Sequence, residues 1–328
     1  MKKNVALLAG GYTGESVVSL NSAKQVESAL DYQLYNVYKI IFTPEEWYYQ
    51  NENGVKAVVD KNDFSISTAN RKVTFDVVFI VIHGSPGEDG KLQGYFDLLK
   101  IPYTTCDATT SALTMNKGYT KAVVSGIGNL NIASSLQLFD NNENIGEEIK
   151  NRLELPLFIK PNNGGSSIGM SKVNEWTQLN VGLEKAFAED SQVLVEEFIS
   201  GREFTVGIYK TKDKIIVLPI TEIKSSKEFF DYEAKYTKGV TEEITPANIS
   251  AEQTEKVGEI VKNIFAKLNC KGVVRVDFIL QDLTNDFYFI EINTVPGQSE
   301  NSIIPQQVRA TGMNMTDFYS LLIEEAIV

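Results

Sequence analysis

Two uninterrupted apolar runs constrain this chain more than any other feature. Val5-Ala6-Leu7-Leu8-Ala9 and Val77-Val78-Phe79-Ile80-Val81-Ile82 carry no polar residue. A strand built from either run must be covered on both faces, as the strands of a parallel sheet are. The first run leads into the turn Gly10-Gly11-Tyr12-Thr13-Gly14 and then a helix over Ser16–Leu30 with apolar residues at helical spacing. A second strand over Tyr35–Ile41, a helix over Gly90–Leu99 and a short strand at Pro102-Tyr103-Thr104 continue the pattern. This βαβ order predicts an N-terminal parallel-sheet α/β domain over residues 1–105.

Beyond it the spacing predicts a helix over Ala112–Ser125, a loop or capped helix start over Asp140–Asn151 and strands at Leu155–Pro161, Val193–Phe198 and Glu203–Tyr209. A helix over Ala251–Leu268 precedes a hairpin-like pair, Gly272–Leu280 and Phe287–Asn293. The polar and aromatic stretch Lys224–Gly239 has no period. With 328 residues the chain is long enough for two or three subdomains around a cleft, here divided at 106–198 and 199–328.

Charge narrows the partners. Lys+Arg total 31 against 43 Asp+Glu, a net charge of −12, so the average surface repels nucleic acid and anionic membrane. A phosphate ligand requires the few lysines to be gathered locally. Two cysteines, Cys106 and Cys270, suggest neither a disulfide framework nor a cysteine-rich metal site and fit a reducing compartment. Met1-Lys2-Lys3 leads into an apolar run too short for a secretory leader, and no stretch nears the roughly 18 apolar residues of a membrane span. The expected location is the cytoplasm.

The hairpin-like pair carries the strongest chemical signal. Its segments Val273–Leu280 and Phe287–Asn293 place polar residues with period two. Centring the turn near Thr284 sets Asp277 opposite Glu291 and Arg275 opposite Asn293, all on one face. Carboxylates in directly opposed positions repel, so the pair calls for a cation, and an all-oxygen donor set selects a hard one such as Mg²⁺. A solvated polar face would show the same alternation; the following Thr294-Val295-Pro296-Gly297 favours the metal.

Three other segments are more ambiguous. Lys160-Pro161 ends a strand before Asn162-Asn163-Gly164-Gly165-Ser166-Ser167-Ile168-Gly169, whose glycines and serines could turn N–H and O–H donors toward one anion or form a plain surface loop. It is not a Walker A loop, because no Lys-Ser/Thr pair follows the glycines. The first turn is a candidate small-anion or amino-acid pocket with Glu15 at its lip, although Glu15 could simply complement the helix dipole. His83, the sole histidine, enters the loop at a strand's C-terminal edge, where α/β ligand sites gather, or is structural.

Together these segments resemble the D-alanine–D-alanine ligases of the ATP-grasp superfamily. The resemblance runs in order along nearly the whole chain: Gly10-Gly11 to Glu15 with Val18-Ser19-Leu20, His83-Gly84 to Glu88-Asp89-Gly90, Met115-Asn116-Lys117, Lys160-Pro161 to Val173, Glu203-Phe204-Thr205-Val206, Asp231 to Tyr236, Arg275-Val276-Asp277 and Glu291 to Gly297.

The resemblance implies a two-subdomain ATP-grasp fold after the N-terminal domain and ATP-dependent joining of two D-alanines through D-alanyl phosphate, for peptidoglycan precursors. Lys117, Lys160 and Lys235 would neutralise ATP phosphates beneath Ser166 and Ser167. Glu196, Glu197 and Ile199 would line the adenine side and Glu203 the ribose. Asp277, Glu291 and Asn293 would hold Mg²⁺, two ions in this family, with Mn²⁺ a possible substitute. Glu15, networked with Ser166 and Tyr236, would orient the ammonium of the first D-alanine, Ser302 and Lys235 would grip the carboxylate of the second, and His83 would be a further substrate-binding residue. Arg275 and the Gly297 N–H would stabilise the oxyanion. Residues 224–239 would form a lid, and a homodimer is implied.

Departures from the family pattern stand at Asn162-Asn163-Gly164, where an arginine and an acidic residue are common, at Glu197 in place of a lysine, and at Gln298 and Glu300. Tyr236 matches the dipeptide-forming members. The alternatives are a ligase using D-lactate or D-serine as acceptor, or a non-catalytic amino-acid or nucleotide sensor.

Overall fold

The computed structural model describes residues 2–51, 53–68, 71–165, 168–225 and 241–327. Ser166, Ser167, Lys235, Tyr236 and all but the first two residues of the expected lid lie outside these.

The two apolar runs are central strands, as their composition requires. Lys3–Gly10 pairs in parallel with Tyr35–Phe42 on one side and Val77–Ile80 on the other. Alternation distributes them to two cores. Val5, Leu7, Ala9, Val77, Phe79 and Val81 enter one; Ala6, Leu8, Val78, Ile80 and Ile82 enter the other. Both faces are therefore covered. The helix Ser16–Ala29 contributes Ala23 and Val26 to the first core, and Lys91–Leu99 contributes Leu92 and Phe96 to the second.

The sheet continues beyond its parallel part. Trp47–Gln50, Lys56–Asp60, Ser65–Thr68 and Arg71–Val73 extend it as an antiparallel meander, giving seven strands among the described residues. The first core is completed from the far end of the chain. Two C-terminal helices, Ile303–Ala310 and Met315–Ile327, bring Ile304, Val308, Phe318, Tyr319 and Leu322 against it.

A second, antiparallel sheet is ordered Ser171–Val173, Leu157–Pro161, Val193–Glu197, Ser135–Leu138, with Ile145–Arg152 and Leu179–Phe187 on its core. The third is ordered Thr241–Ile244, Thr221–Ser225, Gly201–Lys210, Val273–Gln281, Phe287–Asn293, Leu130–Ile132. Its last strand is parallel to Phe287–Asn293 and comes from before the second sheet in sequence. The helix Ala251–Lys267 covers it, opened by a reciprocal capping box between Ser250 and Gln253.

The expected helix over Ala112–Ser125 is two helices, Ala108–Met115 and Lys117–Val124. Asn116 breaks it with extended backbone, and its side chain caps the second helix by accepting from the Tyr119 N–H at 3.0 Å. Asparagine favours the cap over the helix interior because its side chain competes for backbone groups. The break puts Lys117 at a helix start, where its N–H donates to the Asn162 carbonyl at 3.1 Å. The polar stretch after Asp140 resolves into the helix Ile145–Arg152. No helix among the described residues is long and apolar enough to cross a membrane.

Candidate active site

The hairpin has the register expected at its chemical end. Arg275 pairs with Asn293 and Asp277 with Glu291. Beyond Asp277 the register slips by one, to Phe278↔Phe289 and Leu280↔Phe287. This bulge has a physical purpose. In an unbroken strand Phe287 and Phe289 would share a face with Glu291 and Asn293; with the slip they join Phe278 in the core.

The two carboxylates meet the protein's own cations. Arg275 grips Asp277 with two bonds, Nε to Oδ1 at 2.9 Å and Nη2 to Oδ2 at 2.8 Å. Thr205 Oγ1 and Asn293 Nδ2 also donate to Asp277, at 2.5 and 3.1 Å. Burial alone would depress the Arg275 pKa, but the Asp277 charge and hydrogen bonds, with Glu291 and Glu88 nearby, raise it. Lys117 Nζ lies 3.2 Å from Glu291 and also donates to the Gly164 carbonyl. Two carboxylates and an amide oxygen, on opposed strands of one face, form a donor set suited to a hard divalent cation.

A second cluster, this one buried, lies at the same cleft. Lys160 donates to Glu196 Oε1 at 2.5 Å and Lys121 to Oε2. Burial pushes the Glu196 carboxyl up, but the two ammonium groups outweigh it and hold the pKa at about 2. Burial pulls Lys121 down, partly offset by Glu196. Lys121 was not among the residues expected at the site. Its spacing, one helical turn after Lys117, is the signal that could have found it.

The remaining walls place most of the other expected residues at the same cleft, of about 350 Å³, a size suited to a small-molecule ligand. Glu197, Ile199 and Glu203 line one end beside Phe158 and Tyr288. Glu197 Oε1 accepts from the Ser134 N–H at 2.8 Å. Gly297 and Ser302 line the other end. A Cβ on Gly297 would come within 2.9 Å of Ser302 Oγ, which would have to shift to admit it.

Glu15 lies between two glycines of different segments: a Cβ on Gly84 would meet Oε2 at 2.9 Å, and one on Gly165 would meet Oε1 at 3.1 Å. The first glycine turn is committed to the fold. Gly10 and Gly11 donate to Ser19 Oγ and the Phe42 carbonyl, and a Cβ on Gly10 would strike that carbonyl at 2.3 Å.

His83 is 6% exposed with both ring nitrogens bonded, Nδ1 to the Val295 carbonyl at 2.7 Å and Nε2 to Ser22 Oγ at 3.2 Å. Burial lowers its pKa, opposed by Glu15. Glu88 also faces the cleft, and packing together with the Glu15 charge raises its carboxyl to about 8.

Three of the residues that depart from the family pattern, Asn162, Asn163 and Gln298, are tied in by hydrogen bonds. Asn162 Oδ1 accepts from the Gly118 N–H at 2.9 Å and its amide donates to Gln192; Asn163 bonds Asp190 through N–H and side chain. Gln298 is 2% exposed, donating to the Pro296 carbonyl and accepting from Tyr319.

Comparison with known proteins gives concordant matches. Residues 4–106 match the family described as D-ala D-ala ligase N-terminus, and residues 129–324 the D-ala D-ala ligase C-terminus. A D-alanine--D-alanine ligase of Azobacteroides pseudotrichonymphae is 43% identical over 98% of this chain and 99% of its own length. One of Bacteroides fragilis is 44% identical over 99% of both. Among solved structures, the VanG D-Ala:D-Ser ligase from Enterococcus faecalis superposes with a TM-score of 0.89 at 33% identity, covering 100% of both chains. D-alanyl-alanine synthetase A from Vibrio cholerae does so with a TM-score of 0.89 at 26% identity, covering 99% and 98%.

Proposed function

The chain belongs to the D-alanine–D-alanine ligase family, and from that membership we propose how its cleft performs the reaction. It is an ATP-grasp enzyme that joins two D-alanines with ATP to give D-alanyl-D-alanine, a peptidoglycan precursor. Ligases of this family use ATP and magnesium. The observation that carries the assignment of roles is the hairpin register, Arg275↔Asn293 and Asp277↔Glu291, facing a lysine-rich wall.

In this reading ATP lies between the second and third sheets, with adenine toward Glu196, Glu197 and Ile199 and ribose toward Glu203. Lys117, Lys160 and Lys235 hold the phosphates under Ser166 and Ser167. Two magnesium ions, or manganese in their place, held by Asp277, Glu291 and Asn293, would supply the charge that offsets the phosphates. Glu15, with Ser166 and Tyr236, orients the first D-alanine so that its carboxylate attacks the γ-phosphorus, breaking the β–γ bridge and releasing ADP. Positioning and charge neutralisation carry that step.

Ser302 and Lys235 hold the second D-alanine. Its amine attacks the acyl carbon, and phosphate leaves. Arg275 and the Gly297 N–H stabilise the oxyanion formed between, a role typically worth about 3–4 kcal/mol per donor. Closure of a lid over 224–239 would keep water from the acyl phosphate. The reading divides the chain at 1–105, 106–198 and 199–328 and extends to a cytoplasmic homodimer.

ADP release measured side by side with D-alanine, L-alanine and no amino acid tests it. D-alanine-dependent release with dipeptide formation is expected; release indifferent to D-alanine would overturn it. A second reading, D-serine as acceptor, draws support from the 33% identity to the D-Ala:D-Ser ligase. Acceptor competition between D-alanine, D-serine and D-lactate over several pH values separates the two.

A further inference from the structure

The segment Thr294–Gln298, which carries the Gly297 N–H, is held from outside its own sheet. The Val295 N–H donates to Glu88 Oε1 at 3.1 Å, while Glu88 Oε2 takes the Gly84 N–H at 2.7 Å. The Val295 carbonyl accepts from His83 Nδ1 at 2.7 Å. That donor assignment leaves His83 Nε2 as an acceptor, so Ser22 Oγ donates to it, at 3.2 Å. Ser22 Oγ in turn accepts from the Gln298 N–H at 3.0 Å. The segment is thus fixed at Val295 on both backbone groups and again at Gln298, with Gly297 between. Every clamp residue comes from the helix Ser16–Ala29 or the loop after Val77–Ile80.

Ser22 is fully buried and His83 nearly so, which makes each bond costly to leave unmade. These contacts lie outside the third sheet's own ladder, whose hairpin pairing ends at Asn293.

We propose that Ser22, His83 and Glu88 are positioning residues that hold the 294–298 backbone so that the Gly297 N–H meets the oxyanion of the second chemical step. The proposal rests on the reading above that Gly297 donates to that oxyanion. Freed from the clamp, the segment would drift, and a misplacement of about 1 Å costs on the order of a hundredfold in rate. The nucleotide and first D-alanine would still react, so acyl phosphate would form and wait. Water attacking its acyl carbon would then return D-alanine and phosphate without dipeptide.

The test compares Ser22→Ala, Glu88→Ala and Glu88→Gln with the unaltered full chain in ATP, Mg²⁺ and D-alanine. Dipeptide kcat, KM for ATP, ADP released per dipeptide and melting temperature are all read. The expected result is a roughly ten- to hundredfold fall in dipeptide kcat for the alanine variants, with KM for ATP within about twofold. ADP per dipeptide rises above one, and Glu88→Gln, keeping one acceptor, recovers part of the loss.

Unchanged kcat and a ratio of one would overturn the proposal. So would activity falling in step with melting temperature at a ratio of one, which marks loss of fold. Ser22→Ala removes one hydroxyl and carries the test if Glu88→Ala does not fold. An unaltered chain without D-alanine-dependent ADP release would overturn the underlying function, a distinct failure from that of the clamp.

Discussion

Two charge clusters line the cleft, one buried and one partly exposed, and they are built differently. Lys121, Lys160 and Glu196 set two ammonium groups against one carboxylate, on a helix and two strands remote in sequence. Arg275, Lys117, Asp277 and Glu291 set two cations against two carboxylates, three of the four on one hairpin. The first cluster has positive charge in excess, which an anionic ligand such as nucleotide phosphate can complete. The second, among the described residues, pairs each carboxylate with a cation of the protein, Asp277 with Arg275 and Glu291 with Lys117. On the proposed reading, that difference would separate a wall that attracts phosphate from a wall that organises it.

If the hairpin cluster is the metal-organising wall, Asp277→Asn should lower dipeptide kcat by more than about a hundredfold, exceeding the loss typical of residues behind the ligands. Full ADP-release activity in that variant would erase the distinction. If the lysine cluster serves nucleotide binding and the fold together, Lys121→Met should raise KM for ATP. It should also cost about 2 kcal/mol in chemical denaturation, less than an orphaned buried charge because Lys160 still pairs Glu196. A purely structural role would leave KM for ATP where it was.

The lysine cluster also carries a pH signature. The Glu196 pKa is lowered from 4.5 to about 2 in the folded chain, so the stability it contributes is present above 4.5 and lost as pH falls toward 2. Glu196→Gln should flatten the pH dependence of unfolding in that window; parallel slopes would contradict the pairing. Leu283, 91% exposed in the hairpin turn, gives the smallest effect. Leu283→Ser should shift stability by no more than about 0.5 kcal/mol and leave turnover unchanged. A larger loss would mean the turn, and not the strand ladder, sets the carboxylates.

The hairpin site was legible because its residues are close in sequence and repeat with the strand period, so the partner of Asp277 follows from counting. The bulge that sends Phe287 and Phe289 to the core was not, since period two admits no slip. The meander from Trp47 to Val73 had a signal in the aromatic run Trp47-Tyr48-Tyr49 and in Asn53-Gly54, a hairpin-turn dipeptide. Lys121 and Ser22 carried none beyond helical spacing, because their partners lie 75 residues away for Lys121 and 61 and 276 residues away for Ser22.

By itself the sequence determined the buried parallel strands, the hairpin with its opposed carboxylates and the family. All of these rest on local periodicity or ordered motifs. Only the tertiary structure decided that the last helix completes the core under the first sheet, that Glu15 fits between Gly84 and Gly165, and that Ser22, His83 and Glu88 hold the Val295 backbone. These depend on which surfaces meet when separate elements pack. A chain's linear order does not encode such meetings in any short-range pattern.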